Sequence, residues 1–133
     1  MSIREKLDFF ISNHTETAEK HFREEMRTRY YKASKDKVIQ AVESVINKDG
    51  LVVKRVESER GEVIAHQRKG KKILLVATIV TVRPFKTAVD WSCSTDTILP
   101  SDFGYSRKVI GGLYEKLDKE LTYIGSGLGE ELL

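Results

Sequence analysis

Apolar positions in the 133-residue chain change period several times, and each change marks an element. Ile3, Leu7, Phe10 and Ile11 recur at helical spacing and predict a short amphipathic helix over 2–12. Asn13 and Glu16 form a loose capping box, so a second helical stretch is expected to carry Ala18, Phe22 and Met26 on one face. Met26 to Lys32 alternates and ends in Tyr30-Tyr31, which reads as a strand. Ser34 is a good N-cap for a helix whose buried face is Val38, Val42, Val45 and Ile46, with Ile39 and Ala41 at its edges. Asp49-Gly50 ends that helix, with Gly50 free to take a left-handed cap.

Four strands are expected next. They run from Leu51 to Glu57, Glu62 to Arg68, Lys71 to Arg83 and Thr87 to Thr95. Ser58 to Gly61 and Lys69-Gly70 supply turns, and Pro84 stops the third strand. Val109, Ile110, Leu113, Tyr114, Leu117 and Leu121 mark a C-terminal helix. Gly111-Gly112 lie off its apolar face. Either the first turn frays there or another element presses on the bare backbone. Gly125 to Gly129 and the acidic end read as a loose tail over 125–133.

The order is thus one or two N-terminal helices and then β-α-β-β-β-β-α. That is an α+β domain over 26–124 with a mainly antiparallel sheet, preceded by an amphipathic helical segment over 1–25. One strand departs from the usual pattern of a sheet with one wet face. Over 71–83, Ile73, Leu75, Ala77 and Ile79 line one face while Leu74, Val76, Val80 and Val82 line the other. The second face therefore calls for a cover: the N-terminal helices or a homodimer partner. In the following strand Val89, Trp91 and Cys93 share the inner side, and Asp90 points the other way, towards solvent or a base such as Lys86 or Arg83.

Apolar residues make up 40% of the chain, enough for one domain with a core and too little chain for two. The net charge of +3 excludes a strongly cationic coat. Within 54–72, however, basic residues exceed acidic ones by four, leaving the remainder at −1. A single cysteine excludes an intrachain disulfide framework and points to a reducing compartment. Four charges interrupt the N-terminal apolar residues, and the longest apolar run, Ile73 to Val82, is far below the roughly 20 residues of a membrane span. A cytoplasmic protein with no membrane span is expected.

The β-α-β4-α order resembles the TATA-binding-protein-like and helix-grip folds, a likeness of topology that implies no function. Arg60-Gly-Glu-Val-Ile, Thr78-Ile-Val-Thr-Val-Arg-Pro-Phe-Lys-Thr-Ala-Val-Asp and Ser101-Asp-Phe-Gly-Tyr-Ser also resemble an uncharacterised family of small cytosolic α+β proteins from Gram-positive bacteria, over roughly residues 26–122. That resemblance carries no catalytic residue.

Candidate chemistry is sparse. Arg68, Lys69, Lys71 and Lys72 make a basic hairpin that could contact phosphates. The bland reading is a solvated tip, favoured because no aromatic interleaves the charges. Asp102-Phe103-Gly104 matches the kinase magnesium triplet without a Gly-rich loop, strand lysine or catalytic loop, so it reads as chance. Gly125-Ser-Gly-Leu-Gly129 follows a helix instead of opening one, unlike a phosphate loop. His14 and His21 are seven apart, too far for a helical metal pair, and His66 sits mid-strand, so no metal site or cofactor is expected. Cys93 on an inward face reads as a small buried hydrophobe.

The leading expectation is a non-enzymatic binding or self-association module, most simply a homodimer, using Leu74, Val76, Val80 and Val82. The alternative is a carrier of a hydrophobic small molecule, with a cavity under the last helix lined by Trp91 and Tyr114. A third is weak nucleic-acid binding through the basic hairpin, which the modest charge disfavours.

Overall fold

Nine elements occupy the described residues of the computed structural model, which are 14–18, 26–67, 72–95 and 105–127. They are strands β1 (His14–Glu16) and β2 (Arg29–Tyr31), helix α1 (Lys35–Lys48), strands β3 (Val52–Glu57), β4 (Glu62–Gln67), β5 (Ile73–Arg83) and β6 (Lys86–Thr95), helix α2 (Tyr105–Glu120) and strand β7 (Tyr123–Ser126). One sheet takes all seven strands in the order β3-β4-β5-β6-β2-β7, with β1 also paired to β6. Every strand pairing is antiparallel. The fold is α+β, as the periodicity predicts.

Local chemistry explains the elements. Ser34 caps α1, its hydroxyl accepting from the Lys37 amide, and Gly50 takes φ +85° just past the helix end. Period-2 alternation then holds along β5 as far as Val80 and along β6 from Thr87, whereas β3 is irregular, its register on β4 shifting between Val53 and Arg55. In the turn before β4, Gly61 sits at φ +72°, its carbonyl accepting from the Ile79 amide at 2.7 Å. A side chain at Gly61 would run into the Ile79 carbonyl.

Both helices cover the same sheet face. Val38, Val42, Val45 and Ile46 of α1 and Ile110, Leu113 and Leu117 of α2 close over Val63, Leu75, Ile79, Val89 and Trp91, all of them buried. Lys48 bonds Glu120 at 2.5 Å, and Lys116 pairs with Asp49, fastening the end of α1 to α2.

Two expectations are corrected. Residues 14–16 are a strand, not part of a helix, and register pairs His14 with Ser94 and Glu16 with Ser92. The three-apart spacing of Asn13 and Glu16 imitated a cap, whereas the open edge of β6 offered backbone partners to an extended segment. Residues 125 and 126 are not tail: Arg29 pairs with Ser126 and Tyr30 with Gly125 in β7. Glycine and serine are weak strand formers, and the backbone ladder of β2 overrides that preference. The helix expected over 2–12, the 68–71 turn, and Asp102-Phe103-Gly104 lie outside the described residues.

Candidate functional site

The outer sheet face begins with β5. Alternation sends Leu74, Val76, Val80 and Val82 outwards, and register sets neighbours beside them. Ile64 of β4 lies opposite Val76, Ala88 of β6 opposite Val80, and Tyr30 of β2 opposite Ala88. Val52, Leu74 and Val80 are 58%, 50% and 52% exposed, whereas Val76 and Val82 are half-buried. Val82 packs with Tyr30 and Ala88. All four β5 residues expected on a partner surface are thus on one face, opposite the helices.

Trp91 and Tyr114 are not on that surface. They are 1% and 0% exposed and lie in the helix-covered layer, with ring centroids 6.2 Å apart in an edge-to-face contact. The Tyr114 hydroxyl is directed at the carbonyls of Val89 (2.9 Å) and Arg27 (3.1 Å). The two rings pack against each other beneath α2. An apolar strand position cannot by itself distinguish a packed ring from a cavity wall.

A polar cluster that periodicity does not reveal sits beside them. Asp118 of α2 accepts from the Arg29 guanidinium at 2.5 Å and from the Tyr31 hydroxyl at 2.6 Å. Arg29 also lies 4.4 Å from the Tyr114 ring centroid and 5.4 Å from that of Tyr123 on β7. Burial pushes the Tyr31 phenol above the ordinary tyrosine range, and its bond to the Asp118 carboxylate adds to the shift. Burial likewise raises Tyr114. The phenols therefore stay protonated at neutral pH. The cluster ties β2 and β7 to α2. Its only sequence signal was the charged Arg29 alternating with Tyr31.

Asp90 has partners other than Lys86 or Arg83. Its carboxylate accepts from Thr17 and Thr28, each at 2.7 Å. These threonines stand where β1 and β2 leave a gap along β6.

At one end of the outer face is an open cleft of about 450 Å³. Its lining includes Lys54, His66, Gln67, Lys72, Ser94 and Thr95. Of the expected basic hairpin, Lys72 is exposed and lines this cleft, whereas Arg68, Lys69 and Lys71 lie outside the described residues. Cys93 is buried, as its alternation predicts.

No family model matches the chain, and no curated protein matches it significantly. Among the described residues no helix is long and apolar enough to cross a membrane.

Proposed function

We propose that the chain is a non-enzymatic binding module that works by pairing with a second copy through the outer face of β3 to β6. The observation behind this reading is the exposure of Leu74 and Val80, towards opposite ends of the outer face of β5, on a sheet face whose Val76, Val82 and Ile64 are also apolar. Large exposed apolar patches are uncommon on monomers and mark contact surfaces. Size also favours a second copy. Four strands about 4.8 Å apart, carrying an outer row roughly 27 Å long, present a footprint on the order of 500 Å². Two such faces bury roughly 1,000 Å², near the lower limit for a specific interface, so the dimer is weak and concentration-dependent. Valine-rich antiparallel faces also stack on one another about 10 Å apart, as in β-sandwiches.

Sedimentation over a range of concentrations tests this. The full chain should move towards twice its 15.2 kDa mass as concentration rises. Val80→Asp should hold it at one mass with unchanged thermal stability. A full chain that stays monomeric overturns the proposal. If it then associates on removal of residues 1–13, the occupant of the face is its own segment bearing Ile3, Leu7, Phe10 and Ile11.

A further inference from the structure

We infer that the tip of the β5–β6 hairpin is a peripheral anchor for an anionic lipid surface, with Phe85 as the inserting side chain. Register pairs Arg83 with Lys86, so Pro84 and Phe85 form a two-residue turn. Proline fixes φ at about −65°, which suits the first turn position, and a positive φ then falls on the second. Phe85 takes it, at φ +58°. That position ordinarily goes to glycine or asparagine, because a β-carbon is crowded there. Among the described residues Phe85 is the one non-glycine residue with a positive φ, and at 66% it is also the most exposed large hydrophobic side chain. Neither feature stabilises the fold, and backbone strain of this kind concentrates at functional positions.

Cations accompany the ring. Arg83 and Lys86 flank the turn. Lys32 follows Tyr31 of β2, whose register partner Thr87 follows Lys86, and this brings Lys32 level with Lys86. Lys32 and Lys86 make no ion pair among the described residues. No acidic residue occurs in 28–35 or 81–89. An exposed apolar ring among positive charges is the combination that holds amphipathic segments on anionic bilayers: the ring enters the headgroup region and the ammonium groups stay with the charges outside it. Size favours lipid over protein. Two turn residues present far less area than the roughly 1,000 Å² of a specific protein interface, whereas a fluid headgroup layer needs no complementary pocket. The tip lies beyond Val82, so lipid contact and the proposed self-pairing use different residues.

The test is cosedimentation of the full chain with phosphatidylcholine vesicles made with and without phosphatidylserine. The chain should pellet only with the vesicles that contain phosphatidylserine, and added salt should release it. Phe85→Gly should weaken binding about tenfold, as expected when one phenylalanine no longer leaves water. Because glycine suits φ +58°, the same variant should melt at or above the temperature of the parent. Lys32→Gln and Lys86→Gln should each weaken binding about fivefold, the contribution of one basic residue near an anionic surface. Failure to pellet with phosphatidylserine vesicles, equal pelleting with both kinds, or pelleting that survives Phe85→Gly overturns the anchor. A clearly lower melting temperature of Phe85→Gly also overturns it, because the ring would then be a packing residue. Loss of self-association in Phe85→Gly, with no vesicle binding by the parent, gives the tip to a second copy and overturns the lipid contact.

Discussion

Thr17 and Asp90 are 73 positions apart in the chain, yet their side chains meet at 2.7 Å. The same Thr17 oxygen accepts from the Trp91 amide, also at 2.7 Å. One hydroxyl thus completes the β6 ladder where its neighbouring strand is interrupted, and donates a hydrogen bond to the carboxylate one residue earlier. Thr28 reaches that carboxylate from the other side of the gap. Asp90→Ala removes the acceptor shared by both hydroxyls and should cost about 2–3 kcal/mol, because bonds to a charged group are worth more than neutral ones. In a double-mutant cycle, Thr28→Val and Asp90→Ala should be strongly non-additive. Additive losses in urea denaturation would show that the two side chains act independently.

Trp91 provides a second test. It is fully buried, and its indole N–H has no hydrogen-bond partner among the described residues. Its emission should be blue-shifted in the native state and move red on unfolding. Trp91→Ala should destabilise by about 3–5 kcal/mol through the cavity it leaves. Emission typical of hydrated indole in the native state would contradict this placement.

The glycines should divide by sign. A methyl group at Gly111 or Gly112 meets nothing within 4 Å, and both lie inside α2. The helix continues through them, and among the described residues no element presses on the backbone there. Gly111→Ala and Gly112→Ala should each stabilise by about 0.4–1 kcal/mol. Gly61→Ala combines a positive φ with a collision against the Ile79 carbonyl and should destabilise by about 2 kcal/mol or more. Thermal melts of the three variants would check the signs.

Alkaline pH should unfold the protein cooperatively. Tyr31 and Tyr114 have folded-state pKa values raised above the ordinary tyrosine value of about 10. Below pH 10 both states hold these protons and the contribution is fully present. Above it the unfolded chain releases protons that the folded chain keeps, so stability falls as pH rises. The slope approaches about 1.4 kcal/mol per pH unit for each phenol. Tyr114→Phe should flatten this slope relative to the parent while lowering stability at neutral pH. Equal slopes in parent and variant would show that other groups govern the alkaline limb.

Sequence pattern revealed most of the scaffold. The i, i+4, i+7 spacing of Val38, Val42 and Val45 located α1, a strong signal because that helix buries one face and exposes the other. β5 was legible as a long apolar run whose two faces follow from the period of a strand alone. Short edge pieces escaped notice. β1 and β7 have three and four residues, and their positions are decided by free backbone groups on β6 and β2, partners distant in sequence. The apolar outer face was legible as composition on alternate positions. The Arg29–Asp118–Tyr31 cluster was not, because it joins β2 to a helix 89 positions away. The cleft was visible only as an excess of basic residues, since Ser94 and Thr95 enter it through register.

β1 and β2 amount to one strand along β6 with an excursion cut into its middle. The excursion is closed at its base. The Ala18 amide donates to the Met26 carbonyl, the Thr28 amide donates to the Ala18 carbonyl, each at 3.1 Å, and Asp90 grips Thr17 and Thr28. A closed base insulates the sheet from whatever lies beyond it. Changes of length or sequence between the two sides of the clasp should therefore leave strand register untouched, because the register of β1 and of β2 on β6 is set outside it.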